Sequence, residues 1–284
     1  MTRTYYAPAK INLWLRVFAG DDSGYHPLDT LFCAIDLTDV LQVSPASELT
    51  LQVSGADVGP VESNLVLRAA REYYLLLGQQ PRTAFRLQKR IPAGAGLGGG
   101  SSDAAAALRA LQHLHDDALP PEQLLALAAR IGSDVPFFLC GSPLAQATGR
   151  GERLQPLAPL PERHLLIVQP DFAIGTRDAY GWLDESALCV PAEAGWPAPH
   201  SWHDIEQRAV NTFEPVLFAR YPELARVRDQ LHAAGAAITL VSGSGSALFG
   251  MFRDAASAAA AQDSLSIAPG WQIHRARTLA ARTD

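Results

Sequence analysis

Cysteine is scarce in this sequence: Cys33, Cys140 and Cys189 are the three in 284 residues. They are too few and too far apart for a disulfide framework or a zinc knuckle, and a reducing cytoplasm is the expected setting. A basic surplus is missing as well. Lysine and arginine number 23 against 29 aspartates and glutamates, and the net charge of -6 offers no global field to gather nucleic acid or an anionic membrane. A phosphate-bearing ligand has to be met by local groups. Near the N-terminus Lys10 and Arg16 interrupt any apolar run, so the h-region of a signal peptide is lacking. One uncharged stretch, residues 235–252, has membrane-like length. Its centre, Ser242-Gly243-Ser244-Gly245-Ser246, is poor anchorage, and it reads as strand, loop, strand.

What is present is an ordinary globular balance. Hydrophobic residues at 48% and charged residues at 18% exclude a disordered chain, and the length allows two domains. Residues 10–17 alternate, with Ile11, Leu13, Leu15 and Val17 on one face and Lys10, Asn12, Trp14 and Arg16 on the other, which predicts a half-buried strand. Further strands are expected at 34–43, 49–53 and 84–89. A helix over 64–77 ends at Gly78, and another at 104–114 is expected to be capped by the serine or aspartate before it. A third covers 124–131. Residues 155–161 carry three prolines and read as an extended connection, where a domain boundary falls. Beyond it, strands at 165–168, 237–241, 247–252 and 271–274 alternate with helices at 205–219, 224–233 and 255–265, an α+β layer. No internal repeat is visible.

The segment with chemistry is Pro92-Ala93-Gly94-Ala95-Gly96-Leu97-Gly98-Gly99-Gly100-Ser101-Ser102, where residues 94–100 hold five glycines directly before a helix. Glycine lets backbone N–H groups approach an anion, and the helix that follows adds a favourable field for phosphate. The bland alternative is a flexible loop before a helix. Gly94, Gly96 and Gly99 also satisfy the dinucleotide fingerprint, but the strand before them alternates and ends in Lys89-Arg90-Ile91-Pro92 instead of being a continuous apolar run. The loop lacks the Gly-Lys-Ser/Thr close of a Walker A motif, and the chain has no nucleophile elbow. His113 and His115, two apart on a helix, and His200 and His203, in a loop without cysteine, carry no metal signal.

Three segments in chain order, Pro8-Ala9-Lys10-Ile11-Asn12, the glycine-serine loop and Ser242–Ser246, resemble the three motifs of the GHMP kinases. The resemblance implies a two-domain α+β fold: residues 1–155 like ribosomal protein S5 domain 2, and residues 156–284 a ferredoxin-like domain. It implies ATP as co-substrate, usually with Mg2+, which Ser101 and Ser102 would help to hold; no carboxylate cluster announces an all-protein metal cage. It implies catalytic roles for Lys10 and Asp134, ATP contacts from Asn64, Lys89 and each residue from Pro92 to Ser102, and a part for Gly243 beside the substrate. Within the family, Asp21-Asp22-Ser23-Gly24-Tyr25-His26, followed by Leu28, Thr30, Phe32, Asp36 and Asp39, resembles the branch whose alcohol is a cytidine diphosphate-linked methylerythritol of non-mevalonate isoprenoid synthesis. Tyr25 and His26 would then meet the cytidine, Asn12 the diphosphate or erythritol, and Thr176 and Tyr180 a lid over the base. The third motif has serine where many members carry threonine and alanine. Read from residues alone, Lys10 is a solvated lysine, while Asp134 stands in a setting where aspartate often caps a turn, an alternative to a catalytic role. The expected partner is a small molecule, with neither nucleic acid nor membrane, and the expected state is a monomer or weak homodimer. A different alcohol, or a nucleotide sensor without catalysis, is the rival reading.

Overall fold

A computed structural model describes residues 1–21, 24–186 and 188–280. Its first sheet grows around a long antiparallel pair, β1 (Arg3–Val17) and β2 (Leu28–Pro45). The other four strands are β3 (Thr50–Gly55), β4 (Thr83–Lys89), β5 (Leu144–Gly149) and β6 (Arg153–Leu157), in the order β3-β4-β2-β5-β6 with β1 on β2. Helices α1 (Leu65–Leu77), α2 (Gly99–Leu114) and α3 (Pro121–Ile131) pack on this sheet. Tyr5, Phe85 and Val43 from strands meet Tyr73, Leu108 and Leu127 from helices in one core. Asn64 starts α1 by accepting the Val66 N–H at 2.9 Å, and Gly78 ends it at φ 64, a left-handed turn that favours glycine.

The second sheet contains β7 (His164–Gln169), β8 (Ile238–Val241), β9 (Leu248–Phe252) and β10 (Gln272–Arg277), all antiparallel, in the order β10-β7-β9-β8. Four helices, α4 (Thr176–Ser186), α5 (Trp202–Glu206), α6 (Glu214–Arg220) and α7 (Pro222–Ala233), lie between β7 and β8, and α8 (Ala255–Ser264) lies between β9 and β10. This β-α-β-β-α-β path with its strand order is the ferredoxin-like layout the resemblance implied. The outer face of the sheet buries Leu166, Val168 and Leu248 against Leu183, Leu217, Leu224 and Ala258 of the helices. Its inner face packs on the first sheet: Ile167, Leu240 and Phe249 share a core with Ile11, Leu13 and Leu31.

That sheet-on-sheet contact corrects the reading of β1. The strand is not half-buried: Ile11 and Leu13 face the second sheet, and the opposite face is covered too, leaving Lys10 at 4% exposure and Asn12 at 3%. The helix expected at 205–219 is broken as well. Val210 and Thr212 pair with Leu15 of β1, which interrupts the helix between α5 and α6. The proline-rich connection belongs partly to the sheet, since Pro156 sits in β6, an edge strand where a missing N–H leaves no ladder partner unmet. Finally, α2 begins five residues before the expected position, inside the glycine run. No side chain caps it; Gly98 takes the cap position at φ 70, and Ser101, Ser102 and Asp103 are within the helix. Its first amides are therefore left for a ligand.

Candidate active site

The loop before α2 is held open by its neighbours. Gly94, Gly96 and Gly98 have φ of 66, 77 and 70, and a Cβ on Gly96 would stand 1.9 Å from the Ser242 carbonyl oxygen. Only glycine fits there. The third motif lies against the loop: Ser242 Oγ donates to Gly96 O at 3.0 Å, and Ala247 N donates to Ala95 O at 3.2 Å. From the other side Lys10 N donates to Leu97 O at 2.9 Å, and its side chain runs so close to Gly98 that a Cβ there would be 2.9 Å from Lys10 Cγ. Three distant segments thus converge on one bed of main-chain donors at the start of α2.

The Lys10 ammonium donates to Asn12 Oδ1 at 2.7 Å and stands 3.5 Å from Asp134 Oδ2. Asn12 in turn donates to Thr30 Oγ1 at 2.8 Å, and Thr30 donates to the Trp14 carbonyl at 2.7 Å. The lysine that residue type alone would place in solvent is instead oriented by a buried chain of hydrogen bonds. Asp134 follows α3, its side chain 28% exposed and open to the cleft. An ammonium and a carboxylate are therefore presented together beside the bed of main-chain donors.

Lys89 differs from Lys10. It too is buried, but its ammonium is committed to Asp39 and to Asp103 Oδ2, the latter at 2.7 Å, and Asp39 also accepts the N–H of Ile91 at 2.9 Å. Burial works against the lysine charge, yet the carboxylates of Asp103 and Asp39 outweigh it and hold the ammonium protonated. Burial pushes Asp103 up to about 7, with the Lys89 charge opposing. The pair ties the end of β4 to the N-terminal part of α2.

Away from the loop the cleft is lined by side chains. His26 donates from Nδ1 to the Phe18 carbonyl at 2.8 Å, and its Nε2 is 3.1 Å from Asp184 on α4. Its ring lies 5.2 Å from that of Tyr180, which meets Phe213 edge-on at 4.9 Å. Burial pushes the Tyr180 hydroxyl up to about 12, aided by the charges of Asp134 and Cys189. Tyr25 is 53% exposed, with the Arg150 guanidinium 3.5 Å from its ring centroid. Thr176 bonds Ser244 at 3.1 Å, fastening the start of α4 to the third motif.

Both ends open into one cleft of about 1540 Å³, larger than a usual small-molecule site and roomy enough for two ligands. Lys10, Asn12, Tyr25, His26, Asn64, Lys89, Asp134, Thr176, Tyr180, Gly243 and residues 92–101 all line it. Ser102 is the exception. At 1% exposure its hydroxyl is buried under the loop, so of the two serines only Ser101 faces the ligand space. Asp22 and Ser23 of the tyrosine-histidine run lie outside the described residues. Asp184, Phe213 and Arg150 join the site without having been expected. For Arg150 a signal existed: it stands between Gly149 and Gly151, at φ 73 and 102, the mark of a hairpin tip.

Comparison with known proteins accords with this geometry. Residues 64–142 match the family profile of the GHMP kinases N terminal domain, and residues 200–269 match that of the GHMP kinases C terminal domain. A 4-diphosphocytidyl-2-C-methyl-D-erythritol kinase of Deinococcus radiodurans is 39% identical, over 99% of this chain and 94% of its own. The chain belongs to the GHMP kinases. Another kinase of that name, from Solidesulfovibrio magneticus, is 44% identical over 87% of each chain. The crystal structure of a 4-(cytidine 5'-diphospho)-2C-methyl-D-erythritol kinase superposes with a TM-score of 0.80 at 36% identity, covering 97% of this chain and 99% of that one. A homoserine kinase from Cytophaga hutchinsonii shares the GHMP fold at a TM-score of 0.65, with 18% identity. Among the described residues no helix is long and apolar enough to cross a membrane.

Proposed function

We propose that this GHMP kinase transfers the γ-phosphoryl group of ATP to the 2-hydroxyl of 4-diphosphocytidyl-2-C-methyl-D-erythritol, a step in making isoprenoid precursors. The observation that carries the reading is the Lys10–Asp134 pair, 3.5 Å apart, placed between a main-chain phosphate bed and an aromatic recess in one cleft. The α2 amides and the loop hold the triphosphate, with Asn64 and Lys89 towards the adenosine. Tyr25, His26 and Tyr180 hold the cytidine end, with Thr176 and Gly243 along the cleft wall and Asn12 nearer the reacting alcohol.

Phosphoryl transfer asks mainly for alignment and for charge to offset that on the transferring oxygens. The substrate oxygen forms a bond to the γ-phosphorus while the bond from that phosphorus to the β–γ bridging oxygen breaks and ADP leaves. Asp134 accepts the hydroxyl proton, and Lys10 orients both the carboxylate and the γ-phosphoryl oxygens. A loose transition state lets that proton move late, so the base need not be strong. The described residues contain no group of three acidic, histidine or cysteine side chains able to cage a metal. Mg2+ would be held mainly by the phosphates, with Ser101 as the protein's hydroxyl beside them, and would supply neutralisation of charge on the phosphate oxygens. A division near residues 155 and 156, shifted past the end of β6 at Leu157, a monomer or weak homodimer as the working unit, and a cytoplasmic setting belong to the same reading.

Supplying ATP with the cytidyl alcohol, with homoserine and with mevalonate in separate assays decides the substrate. ADP release is expected with the first alone; turnover of either other alcohol at a comparable rate would refute the assignment.

A further inference from the structure

A buried amide outside the machinery described above touches both ends of the cleft. Asn211 stands between α5 and α6 at 2% exposure. Its Nδ2 donates to Val241 O and to Gly243 O, each at 2.8 Å, and its Oδ1 accepts the Phe213 N–H at 3.0 Å. On either side of it the backbone clasps β1, where Leu15 N donates to Val210 O at 2.8 Å and Thr212 N donates to Leu15 O at 2.9 Å. Both of its N–H donors and one acceptor position of its oxygen are thus spent on backbone.

The third motif needs such a restraint. Its five residues are serines and glycines, with Gly243 at φ 59 and Gly245 at φ 92, a composition with much backbone freedom to lose. Yet this segment presses on Gly96, and a Cβ on Gly243 would be 3.4 Å from Lys10 Nζ. Asn211 fixes the Gly243 carbonyl from behind. The adjoining Phe213, whose N–H it also holds, supports the Tyr180 ring at the other end.

Resting on the kinase reading above, we propose that Asn211 is a positioning residue that holds the phosphate bed and the aromatic recess in register through one side chain. Asn211→Asp keeps the shape but turns an acceptor towards two carbonyls. Expected are ATP affinity weaker by about 10-fold in calorimetry on folded protein, a higher KM for the cytidyl alcohol and a kcat lower by about 10-fold or more. Phe213→Leu leaves the Asn211 bonds in place and should raise KM for the alcohol alone, with ATP affinity kept. Were the Asp variant not to fold, Asn211→Ala, which brings no charge against the carbonyls, decides on the same measurements. A folded variant with wild-type ATP affinity and kcat overturns the inference, because a residue serving local packing only would lower the melting temperature and leave both untouched. A wild type that binds ATP yet turns over no cytidyl alcohol would sink the substrate assignment instead, and the ATP arm would still decide the role of Asn211.

Discussion

The two ends of the cleft are made of different material. At the end proposed for phosphate the cleft-facing groups are largely backbone: the loop glycines, the uncapped start of α2 and the third motif pressed against them. At the other end they are side chains drawn from several separate places in the chain, Tyr25 and His26 beside β2, Arg150 on a hairpin, Tyr180 and Asp184 on α4, and Phe213 before α6. A phosphate tail is the same whichever alcohol is phosphorylated, and fixed dipoles suffice for it. Discriminating one alcohol from another needs shape and ring faces, which only side chains supply.

Substitutions can break or sharpen that contrast. The largest effect is expected from Gly96→Ala, since its Cβ would meet the Ser242 carbonyl at 1.9 Å in a backbone of φ 77. ATP binding in calorimetry should fall by at least about 100-fold, and near-normal affinity would mean the bed is not built from main chain. Next comes Asp134→Asn, at the junction of the two ends. Turnover should drop by about 100-fold or more with ATP affinity nearly kept, and a near wild-type rate would remove Asp134 as the proton acceptor. Tyr180→Ala should raise KM for the cytidyl alcohol by about 10-fold through lost ring contact, with KM for ATP unchanged. An equal rise for ATP would show that the ends are not separate.

The smallest effect concerns Glu214, the first residue of α6, which accepts the N–H of Val241 at 2.9 Å just before the third motif. Burial pushes its carboxyl from 4.5 up to about 7, with the Val241 N–H and Arg228 opposing. A raised acid favours the folded state when protonated, so this contribution is full below about 4.5 and lost as pH rises through about 7. Denaturant midpoints of wild type should fall across that window relative to Glu214→Gln, and parallel pH curves would refute the assignment.

The same contrast explains what was legible in the sequence. Main-chain sites leave a compositional trace, because only glycine tolerates φ near 70 against a carbonyl; the loop and Ser242–Ser246 could be read directly. The strand alternation of residues 10–17 was visible, but not that a second sheet covers it, since burial on both faces depends on segments more than a hundred residues away. Lys10 shows the consequence: the motif marked it, while only the fold removes it from solvent. The broken helix at 205–219 had helical spacing throughout, and its interruption comes from pairing with Leu15, a contact no local pattern records. Asp184 and Phe213 belong to the same class, ordinary residues given a place by tertiary packing.

Ser242 and Gly96 meet across 146 positions of sequence. The glycine loop is therefore shaped against the turn that follows β8, a segment made long after it. During synthesis the first half would emerge carrying the signature of a nucleotide site without the site itself. The shape of the glycine loop is thereby coupled to the docking of the two sheets on one another.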